Sequence, residues 1–284
     1  MNKTNLTKAN AMQPTFEIPQ GLLENKDFFK DEFYQRFKLR TADAPLKLTD
    51  NISKDYLFPT FYGDVTCSIA IFMCPFEKAQ KILPHPSMKP VKMPRGRALV
   101  LFSNYVYRNV LGVPPYNEIA MTIPIMMNPK INVPVLPMIT PWFKEFGFYV
   151  FSMPVTSLEN QIRGEKIWGL PKVVQEIEID DQESQVVTSA REENGEVYYE
   201  LNVPKVGTPT HFDVGSNLYS LKDGQFLQSA THFKGTFKVK KHMSLLFRKD
   251  VKADRNYLKL GDTPSGKFLK ELEMDGYSFP PIIE

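Results

Sequence analysis

Cysteine and histidine are scarce in this chain, and each scarcity excludes chemistry. Two cysteines, Cys67 and Cys74, cannot build a disulfide framework. They lie an odd number of residues apart, so on one continuous strand they face opposite ways, and buried thiols are the expected outcome. The four histidines, His85, His211, His232 and His242, form no HExxH pair. With no CxxC beside them, a tetrahedral zinc site is not expected. The sequence also lacks a GxGxxG after a strand, a Walker loop and a GxSxG elbow, so nucleotide cofactors and α/β-hydrolase chemistry have no support. No cofactor and no metal are expected.

An excess of one charge is missing too. The balance is 35 Lys and Arg against 32 Asp and Glu, a net +3, too even to argue for nucleic acid or an anionic membrane surface. Lys234, Lys238, Lys240, Lys241, Arg248, Lys249 and Lys252 are dispersed along strands and loops and read as a solvated sheet face. No run approaches the roughly 18 apolar residues of a membrane span. The richest stretch, Ile119 to Ile139, is interrupted by Pro124, Pro129, Lys130, Pro134 and Pro137. Met1 to Arg40 contains no apolar core of signal-peptide length. A cytoplasmic protein with reduced thiols is expected.

Proline, by contrast, is plentiful: 23 in 284 residues, above the usual ~5%. Many short elements joined by rigid turns are therefore expected. Residues 21–40 read as an amphipathic helix, with Phe29, Phe33 and Phe37 every fourth residue. Residues 41–63 read as loop. Strand patterns follow at Val65–Met73, Ala98–Val110, Ile119–Met127 and Phe148–Val155, with a short helix at Pro75–Leu83 and a proline-rich surface loop at 84–97. Ser157 to Arg163 reads as a polar connection and Lys172 to Asp180 as one strand. Asn194-Gly195 centres a hairpin between Gln185–Ala190 and Val197–Val203. Asn217–Leu221, Gln225–His232 and Phe233–Val239 read as strands, His242–Phe247 as a last apolar segment, and Lys267–Met274 as a weak helix.

Two stretches carry chemistry. In Gly164-Glu165-Lys166-Ile167-Trp168-Gly169-Leu170-Pro171-Lys172-Val173-Val174, Pro171 fixes its own φ and biases Leu170 away from the helical region, presenting the lysine on an extended backbone. Burial of Lys172 among Trp168, Leu170 and Val173 would disfavour the charged amine, and a neutral lysine amine makes Schiff bases with ketones. An exposed lysine at a strand start is the other reading, since lysine is rarely buried. In Pro115-Tyr116-Asn117-Glu118-Ile119-Ala120, Glu118 stands at the mouth of an apolar strand. It either points into water or, if buried, needs a partner or a proton.

The first stretch resembles the Gly-Arg-Glu-x-x-Gly-x-Pro-Lys signature of the acetoacetate decarboxylase family. The second resembles that family's tyrosine–acid segment, and Lys81-Ile82-Leu83-Pro84 resembles the end of its early helix. The resemblance spans about 60–250, which leaves 1–50 as an N-terminal extension with an amphipathic helix and 51–284 as the family domain. It implies an α+β, β-rich fold: a mostly antiparallel, curved, barrel-like sheet with a few short helices, assembled as a homo-oligomer. It also implies that Lys172 is the Schiff-base lysine and Glu118 the acid of its pocket, with Trp168, Leu170 and Tyr116 as candidate substrate-binding residues. The expected partner is a small keto acid, and the expected activity a cofactor-independent carboxy-lyase acting on acetoacetate or a bulkier relative.

Three departures are visible. Val173 stands where well-known members carry a second lysine, so desolvation, not a neighbouring ammonium, is left to favour the neutral amine. Glu165-Lys166 replaces Arg-Glu. The segment Tyr62-Gly63-Asp64-Val65 lacks the arginine that members place near the substrate carboxylate, leaving Arg97 or Arg163 to substitute. These departures keep two other readings open: a Schiff-base aldolase-dehydratase acting on 2-oxo acids, and a non-catalytic binder of an apolar carbonyl or lipid-like ligand.

Overall fold

The computed structural model describes residues 22–140, 142–240, 257–275 and 282–283. The chain is β-rich. Its strands are Tyr62–Pro75 (β1), Met88–Pro90 (β2), Arg97–Val110 (β3), Tyr116–Met127 (β4), Phe146–Val155 (β5), Lys172–Val174 (β6), Ile177–Asp181 (β7), Gln185–Arg191 (β8), Val197–Pro204 (β9), Thr208–Lys222 (β10), Gln225–Val239 (β11), Leu258–Leu260 (β12) and Ile282–Ile283 (β13), with four two-residue strands between Arg40 and Phe58. The described helices are Glu32–Gln35 (α1), Phe76–Ile82 (α2), Leu136–Ile139 (α3), Leu158–Trp168 (α4) and Pro264–Lys270 (α5).

Nine strands form one sheet in the order β6-β5-β10-β11-β13-β1-β3-β4-β2, and β4 pairs again with β5, so the sheet curls back on itself. Most pairs are antiparallel, but β6 and β10 both run parallel to β5, making the sheet mixed. A second, antiparallel sheet has the order β7-β8-β9-β12. Period-two alternation sorts the side chains of the first sheet. Ala70, Phe72, Val100, Phe102, Ile119, Met121 and Ile123 form a common core with Tyr199, Leu201 and Val203 of the second sheet. The opposite face of β3 and β4 carries Tyr105, Tyr107, Tyr116 and Glu118, which are cross-strand neighbours. That face is the inside of the curl and holds the candidate site.

Several local expectations are corrected. Residues 21–40 do not form one helix. A 3-10 segment, Leu22–Phe28, is followed by α1, a single turn. Asp31 sits between them at φ −58°, ψ 147° and accepts a hydrogen bond from the Phe33 N–H. An N-cap carboxylate that starts a new helix cannot lie inside an old one, and the break lets Phe29 bury against Phe61 and Leu111. Ser157 to Arg163 is not a loose connection but belongs to α4 and its cap. Lys172 to Asp180 is not one strand, because β6 and β7 join different sheets. The three strands expected over 217–239 are two fifteen-residue strands of one long hairpin, which begins at Thr208. Residues 41–63 carry short strand pairs, and the proline-rich loop holds β2 and buried Met88 and Val91. The last helix begins at Pro264, capped by Thr263. The segment His242–Phe247 lies outside the described residues. Cys67 and Cys74 are buried thiols. No helix among the described residues is long and apolar enough to cross a membrane.

Candidate active site

α4 delivers the lysine. Ser157 caps its start by accepting from the Asn160 N–H. Gly169 ends it in the left-handed region at φ 59°, which a glycine adopts without steric cost. The Gly169 N–H donates to the Glu165 carbonyl at 3.1 Å and the Leu170 N–H to the Gly164 carbonyl at 3.0 Å. This tight reversal folds the next strand back along the helix. Lys172 opens β6 in register with Met153 of β5, and its stem lies on Gly164. A methyl group at Gly164 would sit 2.8 Å from both Cγ and Cε of Lys172.

β4 delivers the acid. Glu118 lies opposite Tyr105 on one side and Val155 on the other. The Lys172 Nζ donates to the Glu118 Oε2 at 2.6 Å, and each side chain is only 6% exposed. The other oxygen, Oε1, faces the Tyr107 hydroxyl at 3.4 Å. The Lys172 Nζ also stands 5.5 Å from the centroid of the Tyr116 ring, within reach of a cation–π attraction. Tyr105 and Tyr107 stack at 5.1 Å, and Tyr62 and Tyr116 meet Tyr107 at 4.7 and 4.8 Å. The ion pair is thus walled by tyrosines.

Burial, and next the charge of Glu118, push the hydroxyls of Tyr107 and Tyr116 well above the ordinary tyrosine value. Burial does the same to Tyr105 and Tyr199. These phenols are therefore neutral hydrogen-bond donors in the folded protein. The sign for stability follows: above the ordinary tyrosine value of about 10 the unfolded chain loses protons that the folded chain keeps, so folding weakens. In an alkaline titration followed by tyrosinate absorbance, these four phenols are expected to ionise only together with unfolding. Smooth ionisation of all 12 tyrosines near pH ~10 with the fold intact would contradict this.

The structure brings Lys172, Glu118 and Tyr116 together. Leu170 packs on Ala120, Val150 and Met153, the cluster that Tyr105 also borders. Trp168 stands apart from the amine: it meets Phe58 edge-on at 6.0 Å and lies 5.6 Å from the Arg163 guanidinium. Val173 is not part of the lysine's surroundings. It is 42% exposed, because neighbours on a strand point to opposite faces. Lys172 is buried instead against Gly164 and the Tyr116 ring.

Of the two arginines that were candidates for a carboxylate clamp, Arg97 is engaged elsewhere, with Asp275 and the Met73 carbonyl. Arg163 is 2% exposed. Its Nη1 donates to Asn160 and its Nη2 to Thr60, both at 3.0 Å, and its guanidinium lies 4.6 Å from the Tyr56 ring centroid. Beside it, Glu159 Oε1 accepts from the Tyr56 hydroxyl at 2.6 Å and from Lys54 Nζ at 2.8 Å. Sequence reasoning missed this group and Tyr107. Tyr107 was within reach, since Tyr105-Val106-Tyr107 alternates on a strand. The Lys54–Glu159 contact joins residues 105 positions apart and leaves no local signal. Among the described residues no group of three or more His, Cys, Asp or Glu comes together that could hold a metal ion.

A family model described as acetoacetate decarboxylase (ADC) matches residues 43–218, and the chain belongs to that family. No curated protein matches the sequence. Among solved structures, the acetoacetate decarboxylase of Legionella pneumophila subsp. pneumophila str. Philadelphia 1 is similar at 14% identity and a TM-score of 0.50, over 79% of this chain and 84% of that one. A second acetoacetate decarboxylase structure is similar at 15% identity and a TM-score of 0.52, with the same coverage. The enduracididine biosynthesis enzyme MppR, complexed with pyruvate, is similar at 11% identity and a TM-score of 0.50, over 77% and 84%. At these identities the likeness is one of fold.

Proposed function

We propose that the protein is a cofactor-independent lyase that decarboxylates a β-keto acid, acetoacetate or a bulkier relative, through a Schiff base on Lys172. The observation that carries this reading is the buried 2.6 Å contact between the Lys172 amine and the Glu118 carboxyl. Glu118 is placed to accept the ammonium proton, which frees the nitrogen lone pair for attack on the ketone carbon. The same proton, returned to the carbinolamine oxygen, and a second one passed from the nitrogen to that oxygen through Glu118, let water leave and give an iminium. The electron pair of the bond between the α-carbon and the carboxylate flows into that iminium, carbon dioxide departs, and an enamine remains. Glu118, which takes up a proton from water after the iminium has formed, protonates the enamine carbon, and hydrolysis of the resulting iminium releases the ketone and restores the amine. Such proton transfers by a positioned acid contribute typically ~10²–10⁴-fold. The neutral Tyr107 and Tyr116 hydroxyls border this path as donors.

A second reading keeps the amine and changes the reaction. An aldolase-dehydratase acting on a 2-oxo acid would use the same Schiff base. Valine at 173, which leaves no second lysine next to Lys172 in the sequence, and the fold's likeness to a pyruvate-bound enzyme favour it. One assay separates the two. Incubation with acetoacetate is expected to release carbon dioxide and acetone in stoichiometric amounts, and Lys172→Met to reduce both to the uncatalysed background. No carbon dioxide from acetoacetate, together with a borohydride-trapped pyruvate adduct on Lys172, selects the aldolase reading.

A further inference from the structure

We propose that residues 25–37, which precede the part of the chain matched by the family model, are a strap that positions Tyr62 in the wall of the Lys172 pocket, with Tyr34 as its main positioning residue. The proposal rests on the Schiff-base reading for what the pocket does, and on strand geometry alone for the strap.

Tyr62 is not where alternation alone would put it. Val65 of β1 stands opposite Tyr107 of β3, so the two share a face of the sheet. Counting back in twos from Val65, Gly63 belongs on that face and Tyr62 on the other. Yet the Tyr62 ring meets the Tyr107 ring at 4.7 Å, and the Tyr62 phenol is the hydrogen-bond partner of the Tyr116 hydroxyl. Both partners wall the Lys172–Glu118 pair: Tyr107 faces Glu118 Oε1 and the Tyr116 ring faces the amine. The pairing explains the difference. The register of β1 on β3 shifts twice, between Tyr62 and Asp64 and again between Asp64 and Val65, so that Gly63 is passed over on one strand and Arg108 on the other. Irregularities of this kind re-aim a side chain, and here the side chain turned toward the pocket is Tyr62.

A bulge disrupts the ladder around it, and the strap supplies partners there. The Tyr34 hydroxyl donates to the Tyr62 carbonyl at 2.7 Å. The Asn25 side chain holds the facing strand: its Nδ2 donates to the Val110 carbonyl at 2.8 Å and to Asn109 Oδ1 at 3.1 Å, and its Oδ1 accepts from the Gly112 N–H at 3.2 Å. Asn109 and Val110 are the residues paired with Asp64 and Tyr62. Phe29 is 4% exposed and stands over Gly63, where a methyl group would lie 2.9 Å from its ring. Phe29 and Tyr34 meet edge-on at 5.2 Å, and both pack on Phe61, next to Tyr62 in the chain. Three strap side chains thus converge on one irregularity of two strands. None of the three touches Lys172 or Glu118, so the strap acts on the pocket through Tyr62, and through it on Tyr107 and Tyr116.

The test is a double-mutant cycle on the rate of borohydride trapping at Lys172, with acetoacetate or pyruvate as the carbonyl compound, at a temperature where every variant is folded. Tyr34→Phe keeps the ring on Phe29 and Phe61 and loses only the hydroxyl. It is expected to slow trapping by about two- to tenfold, the range of one net hydrogen bond. In a Tyr62→Leu background the same change should have no further effect, because the side chain it positions is gone. A rate unchanged in Tyr34→Phe, or two losses that simply multiply, overturns the proposal, since a residue that only supports the fold would act independently of Tyr62. A second arm needs neither an adduct nor Tyr62→Leu: hydrogen exchange of wild type and Tyr34→Phe. Faster exchange in Tyr34→Phe is expected at Tyr62–Val65 and to spread to the segments carrying Tyr107 and Tyr116. Exchange that rises only within residues 25–37, or nowhere, overturns the proposal. If the wild type forms no adduct with either compound while the exchange still spreads to Tyr107 and Tyr116, the Schiff-base reading fails and the strap stands.

Discussion

Glu118→Leu is expected to destabilise the protein by about 3–5 kcal/mol, the usual consequence of removing one partner from a buried ion pair. The effect does not come mainly from the lost attraction. It comes from Lys172, whose side chain is 6% exposed and hydrogen-bonds to Glu118; among the groups around it, only that carboxylate neutralises it. Set against a total stability of ~5–15 kcal/mol, the loss is large. The double variant Lys172→Met/Glu118→Leu removes both charges and should be more stable than Glu118→Leu alone, because a buried pair replaced by apolar groups of similar volume is often neutral or better. Urea unfolding of the wild type, the two single variants and the double variant gives the interaction energy as a cycle. Costs that simply add, within about 0.5 kcal/mol, would mean that the two side chains are not coupled.

Gly164→Ala is expected to lower stability and to reduce activity by about 10²-fold, the opposite of what helix propensity predicts. In an ordinary helix interior, alanine for glycine gains roughly 0.5–1 kcal/mol. Here the new methyl would stand 2.8 Å from Cγ and Cε of Lys172, inside the van der Waals distance. Gly164 is buried within α4, and Lys172 is held by the strand pairing of β6, so the stem must give way. Overpacking of this kind costs about 1–3 kcal/mol. Displacing the amine by even ~1 Å from its partner costs on the order of 10²-fold in rate. Melting temperature and carbon dioxide release, measured on the same preparation, check both parts. A variant that is more stable than the wild type and fully active would show that the lysine stem does not rest on Gly164.

The reach of the sequence is uneven, and the reasons are physical. Period-two alternation placed β1, β3, β4 and β5 well, because each long strand has one face on the core between the sheets. Asn194-Gly195 fixed its hairpin because few residues tolerate that turn. The Lys172–Glu118 partnership was legible from two motifs 54 residues apart only through their resemblance to a family; nothing in their spacing brings β4 beside β6. α4 was legible but overlooked. Ser157 before it, Gly169 at φ 59° after it and Pro171 beyond are an N-cap, a C-cap and a stop, yet Gly164 within it and a weak apolar stripe hid the helix. The break at Asp31 went the other way. Phe29, Phe33 and Phe37 have helical spacing, but Phe29 buries on Phe61 while Phe33 and Phe37 meet His232 edge-on, and tertiary contacts overrode the local period. The Lys54–Tyr56–Glu159 group beside Arg163 could not be read at all, since it is assembled by the way short strands before residue 60 lie against α4.

The central claim, that Lys172 is the nucleophile and Glu118 its proton partner, is tested most directly by borohydride reduction in the presence of acetoacetate, followed by peptide mass spectrometry. The expected result is one reduced adduct, on Lys172, absent in Lys172→Met and strongly diminished in Glu118→Gln, which keeps the shape of the acid but cannot take a proton. Lys172 left unmodified under conditions that label acetoacetate decarboxylases, or labelling spread over surface lysines with Lys172 no more reactive than the rest, would contradict it.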